Sequence, residues 1–106
     1  MNEKPNLDYI QKISGGDQAF EEKLLAVIRK EIVVEIDEYQ ENMKELLLDK
    51  ASENIHKLKH KISILGLEKG YKIAVEFEEE LKRGDFCHKE QFDEILKNIL
   101  TFINES

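Results

Sequence analysis

His56 is the side chain in this sequence with the plainest potential for chemistry. Ile55, Leu58, Ile62 and Leu65 recur at three- and four-residue steps, so they share one side of a helix. At about 100° per residue, His56 falls on nearly the opposite side of that helix. Ser52, Lys59, His60 and Ser63 lie within roughly 60° of it on the same wheel. The helix is therefore expected to bury an apolar stripe and present an imidazole to water among amines and hydroxyls. A neutral imidazole is a good nucleophile near pH 7, because the side chain's ordinary pKa of about 6.5 leaves much of it unprotonated. In-line phosphoryl transfer needs such a nitrogen exposed and aimed, with positive charge nearby to receive the transferring oxygens. His56 meets the first need, and Lys59, about one turn later, meets the second.

The elements that position these residues read as helices throughout. Leu7, Tyr9, Ile10 and Ile13 form a short first helix, stopped by Ser14-Gly15-Gly16, with residues 1–6 expected to fray. Asp17 is an N-cap for a second helix running to about Leu47, with Glu21 and Glu22 near its positive end. Its main stripe is Leu25, Ile28, Ile32, Ile36, Tyr39, Met43 and Leu46. A second line, Phe20, Val27 and Val34, recurs every seven residues on another face, with Leu24 beside it. The first helix is expected to cover Phe20, Leu24 and Val27. Val34 lies beyond its reach and is either exposed for a partner or part of a wide core face.

Asp49 is expected to cap the His56 helix, and Gly66 to end it. A fourth helix, from about Glu68 to Arg83, buries Leu67, Gly70, Ala74, Phe77 and Leu81 and closes at Gly84-Asp85. A last helix begins near Cys87 or His88 and presents Phe92, Ile95, Leu96, Ile99, Phe102 and Ile103 inward. No segment has a two-residue period and no internal repeat is present. The expected fold is all-α, an antiparallel up-and-down four-helix bundle with a short extra N-terminal helix, spanning residues 1–106 as a single domain.

Composition excludes several functions. The net charge is −7, from 16 basic and 23 acidic residues, which argues against nucleic acid as the main partner. From Lys50 to Lys72 six lysines stand against Glu53 and Glu68, a local balance of +4 that leaves −11 on the remainder. A basic island around an exposed histidine suits an anionic target, although a solvated lysine face is the plain alternative. The lone cysteine, Cys87, cannot form an internal disulfide, which fits a reducing cytoplasm. No apolar run approaches the ~18 residues of a membrane span, and no signal peptide is evident.

The segment His56-Lys57-Leu58-Lys59-His60, with Gly66-Leu67 at a turn ten positions on, resembles the acceptor region of the histidine-containing phosphotransfer (HPt) domains of two-component phosphorelays. Their signature is His-x-Leu-Lys-Gly, and His56, Leu58 and Lys59 match it. His60 stands where the family has glycine. Phe77-Glu78 matches the family's apolar-then-polar pair on the next helix, whereas Gly70 stands where a larger apolar residue is commoner. Leu7-Asp8-Tyr9-Ile10 and Ser14-Gly15-Gly16-Asp17 are similar to the entrance of such domains. The resemblance implies a phosphoryl carrier with His56 as acceptor and Lys59 assisting by charge. It implies response-regulator receiver domains and a hybrid sensor kinase as partners. Ser52, His60, Ser63, Val34 and Glu78 are the candidate partner contacts, and the protein is expected to act as a monomer. It also implies no cofactor of its own, with Mg2+ and the reacting aspartate supplied by the receiver, so the chain is not expected to be an autonomous enzyme.

Two other readings compete. Glu53-x-x-His56-x-x-x-His60 resembles half of a carboxylate-bridged metal centre, but a complete centre needs a matching Glu-x-x-His facing inward from another helix. His88 has Asp85, not Glu, three residues before it. The third reading is a helical adaptor that binds partners without phosphorylation.

Overall fold

The computed structural model describes residues 3–105. Among them the chain forms five helices and no strand: α1 (Asp8–Ser14), α2 (Gln18–Lys44), α3 (Leu48–Ile64), α4 (Glu68–Lys82) and α5 (Lys89–Glu105). None is long and apolar enough to cross a membrane. α3 packs between α2 and α4, while α5 lies on α4 and also touches α2. The core is drawn from all five: Ile10; Ile28, Ile32 and Ile36; Ile55, Leu58 and Ile62; Phe77 and Leu81; Phe92, Leu96 and Ile99. These are the three- and four-residue stripes of the sequence, each turned inward to remove apolar surface from water.

Polar contacts fix how the helices meet. The buried Tyr39 hydroxyl donates to Asp93 Oδ1 at 2.9 Å, and its ring meets Phe92 edge-on at 5.4 Å, joining α2 to α5. Burial, reinforced by the Asp93 carboxylate, pushes the Tyr39 phenol well above its ordinary pKa. Between α2 and α3, Asn54 is buried and donates from Nδ2 to Glu35 and, at 3.4 Å, to Glu38. Its Oδ1 accepts from Asn42 Nδ2 at 2.7 Å. Local periodicity does not reveal this cluster, since each member reads as an ordinary polar residue.

The turns show where local sequence misleads. α2 ends at Lys44, three residues earlier than expected, and Leu46 leaves the core stripe to sit 68% exposed. Leu46 has φ 59°, while Leu47 N–H bonds back to Asn42 C=O at 2.8 Å. The same six-to-one closure ends α3 at Gly66 and α4 at Gly84, both with φ 79°. Leucine therefore occupies a left-handed position that glycine takes in the other two turns, at a cost of about 1 kcal/mol. The residue before α3 is Leu47, with no side-chain cap, and Asp49 lies inside the first turn instead of capping it. Asp17 does cap α2, accepting from Phe20 N–H at 3.1 Å.

The start of the chain is more engaged than its polarity suggests. Glu3 accepts hydrogen bonds from the N–H groups of Lys69 (2.9 Å) and Gly70 (3.0 Å), capping α4 from a distant part of the sequence. Asn6 N–H donates to Leu65 C=O at 2.8 Å. The expected fraying of residues 1–6 thus fails for Glu3 and Asn6, and for residues 1 and 2 it lies outside the described residues. α1 is too short to cover the second line of α2. It buries Ile10, while Phe20, Val27 and Val34 remain exposed and only Leu24 packs against the core.

Candidate functional site

α3 and α4 run side by side, and their shared edge carries the site. His56 projects from α3 with its side chain 55% exposed, as its position opposite Ile55, Leu58 and Ile62 requires. Its Nδ1 lies 3.2 Å from Oε2 of Glu78 on α4. The other oxygen of Glu78 accepts from Lys59 Nζ at 3.1 Å, and Lys82 Nζ stands 3.8 Å from Oε2. The Glu78 side chain is only 9% exposed and that of Lys59 15%. A buried carboxylate is tolerable here because three donors surround it.

This geometry sets the state of the imidazole. An ionised carboxylate only accepts hydrogen bonds, so Nδ1 of His56 is the donor in this contact. In the neutral ring the lone pair then resides on Nε2, the nitrogen directed away from Glu78. The result is an exposed imidazole held by a buried carboxylate, with α3 and α4 fixing both ends. A shallow groove lined by Ser52, Glu53, Lys57, Glu78 and Lys82 surrounds it.

Two expected contacts fall elsewhere. Ser52 is buried and its hydroxyl donates to Asp49 C=O at 2.9 Å, so it belongs to the helix packing and not to the exposed ring. α4 packs against that edge of α3, where the helical wheel alone leaves Ser52 open. Glu78 is likewise buried; it supports His56 and Lys59 and is not available as a surface contact. Lys59 is turned to Glu78 and forms an ion pair there. Lys61 is paired with Glu31 at 3.4 Å, so part of the basic island is neutralised by neighbouring helices.

His60, Ser63 and Val34 are exposed, Val34 at 51%. The His60 ring meets that of His56 at 5.5 Å between centroids and 89° between planes. Two depressions flank His60, one toward Glu31, Glu35, Lys57 and Lys61, the other toward Tyr9, Ser63 and Tyr71.

The remaining histidine has no such freedom. His88 Nε2 lies 3.0 Å from Glu76, its Nδ1 contacts Glu80, and its N–H donates to Glu80 at 2.9 Å. Both ring nitrogens face carboxylates, so neither offers an exposed lone pair. A separate cleft between the N-terminal segment and α5 includes Glu3, Glu90, Glu94 and Asn98, but no histidine, cysteine or hydroxyl nucleophile. Among the described residues, no group of three or more His, Cys, Asp or Glu side chains is placed to hold a metal ion.

No family model, curated protein or solved structure matches this chain. The functional reading therefore rests on the residues and their geometry. Glu78 is the participant whose role sequence reasoning missed. Its place beside Phe77 marks it as polar on a buried edge, but only the packing of α4 on α3 brings it to His56.

Proposed function

We propose that this chain is a histidine phosphotransfer protein of a two-component phosphorelay, an up-and-down four-helix bundle of α2–α5 with α1 as a short addition. The observation that carries this reading is the His56–Glu78 contact, which leaves the exposed Nε2 with a lone pair. The lone pair attacks the phosphorus of an aspartyl phosphate on a receiver domain. A bond forms between nitrogen and phosphorus, the bond to the aspartyl oxygen breaks, and the carboxylate leaves with the electron pair. Nε2 has no proton to lose, and the positive charge that grows on the ring is met at Nδ1 by Glu78. Lys59 holds Glu78 in place from its other oxygen, so it acts on the reaction through that carboxylate. The receiver supplies Mg2+ for the phosphoryl oxygens. Transfer from phosphorylated His56 to a second receiver is the reverse of these steps.

His60, Ser63 and the exposed Val34 are the proposed partner contacts, and a cytoplasmic monomer is the expected form. A phosphorylation-independent adaptor draws support from one observation, the exposed apolar line Phe20, Val27 and Val34 on α2. Incubation with a panel of radiolabelled phosphorylated receivers separates the two readings. The carrier takes up acid-labile, base-stable phosphate, which His56→Gln abolishes and His60→Gln does not. An adaptor binds a receiver equally well before and after His56→Gln and takes up no label.

A further inference from the structure

We propose that His56 and His60 together form a bidentate surface site for a divalent metal ion of the Zn2+, Ni2+ or Cu2+ class. The two residues are four apart on α3, so both imidazoles stand on one face of one rigid helix. Their ring centres are 5.5 Å apart. With metal–nitrogen bonds of about 2.0–2.1 Å, two imidazoles sharing a tetrahedral ion have ring centres about 5 Å apart. The observed spacing is thus within about 0.5 Å of that value, and the exposed His60 side chain has room to turn toward His56.

His56 is prepared for this use by the contact that prepares it as a nucleophile. Metal-bound histidines characteristically donate their other ring N–H to a carboxylate, which fixes the tautomer and raises ligand basicity. Glu78, 3.2 Å from Nδ1, is such a carboxylate, and it leaves Nε2 outward to coordinate. Imidazole nitrogens favour Zn2+, Ni2+ and Cu2+ over Mg2+, which prefers oxygen ligands. Water completes the coordination, consistent with the absence of a third converging protein ligand among the described residues. Glu53, exposed one turn before His56, adds negative charge to the same face, while Lys57 opposes it.

The consequence for transfer rests on the phosphotransfer reading: coordination uses the Nε2 lone pair that attacks phosphorus, so a bound ion and a phosphoryl group exclude one another. The binding itself does not rest on that reading, and the test needs no phosphoryl donor. The intact chain is titrated with Zn2+ and with Ni2+, followed by calorimetry and by imidazole NMR signals. The expected result is one ion per chain with submillimolar affinity, perturbing His56 and His60 and unaffected by millimolar Mg2+. His56→Gln and His60→Gln should each weaken binding at least ~10-fold, and Glu78→Gln by about 10-fold. His88→Gln should leave it unchanged. Binding that survives the loss of either His56 or His60, binding that follows His88, or no uptake below millimolar metal overturns the proposal. If the ion binds as expected but receiver transfer proceeds unimpeded at saturating Zn2+, the site stands and the phosphotransfer reading of His56 fails.

Discussion

Replacing Glu78 by glutamine tests how the buried carboxylate governs the exposed imidazole. The substitution keeps the shape of the side chain and removes its charge. In the native protein one oxygen faces His56 Nδ1 at 3.2 Å and the other Lys59 Nζ at 3.1 Å, both from a side chain 9% exposed. A hydrogen bond to a charged group contributes roughly 1.5–3 kcal/mol. The His56 end opens to solvent, so the lower half of that range applies to the imidazole. A loss of about 1.5 kcal/mol from the transition state, the bottom of that range, corresponds to roughly 13-fold slower phosphoryl uptake. Glutamine can also donate to the ring, so the tautomer with the proton on Nε2 should gain population. Long-range 1H–15N NMR reads that population directly, and single-turnover transfer from a phosphorylated receiver reads the rate. A change in stability alone, with tautomer and rate both native, would refute the reasoning and reduce Glu78 to a packing residue.

Lys59→Ala should slow transfer by a similar ~10-fold, since it loosens Glu78, and should lower stability by about 1 kcal/mol in urea melts. Glu3→Ala removes the distant cap of α4 and should cost about 1 kcal/mol while leaving His56 reactivity unchanged. Leu46→Gly relieves a left-handed leucine that packs little, and should stabilise the protein by about 0.5 kcal/mol in thermal or urea unfolding. Burial works to raise the Glu80 carboxyl, but hydrogen bonds from the backbone and ring of His88, with Arg83 nearby, outweigh it and hold the pKa below the ordinary 4.5. Because the folded-state value is the lower one, this contribution is complete above about pH 4.5 and is lost as pH falls through the folded value. His88→Ala removes the ring contacts but keeps the backbone N–H donor, so it should cost about 1 kcal/mol at pH 7 and less as pH falls through the folded value of Glu80, measured by urea melts across the acid range.

The helices and the exposure of His56 were legible because both follow from short-range spacing. Ile55, Leu58 and Ile62 mark the buried side of α3, and the residue opposite them must face water. The wheel could not divide the exposed arc further. Ser52 and Lys59 lie at the edge that α4 covers, and no pattern within α3 records where α4 will sit. Glu78, Asn54 and Glu3 carry their roles through partners 22, 19 and 66 residues away, respectively. Contacts between helices of that kind leave no periodic trace. Leu46 misled for a different reason: its spacing suits the core stripe, but the chain reverses two residues too early for it to reach inward. The exposed line Phe20, Val27 and Val34 was visible as a separate face, whereas its coverage depended on the reach of a seven-residue α1.

The central claim is that Nε2 of His56 accepts a phosphoryl group, and locating that group measures it most directly. The 15N-labelled chain is phosphorylated by receiver domains carrying aspartyl phosphate, and long-range 1H–15N and 31P NMR then assign the phosphorylated nitrogen. The account predicts one phosphoryl group per chain, on Nε2 of His56, with Nδ1 still protonated toward Glu78. Phosphate on Nδ1, on His60 or on His88, or no phosphorylation by any receiver tested, would contradict it.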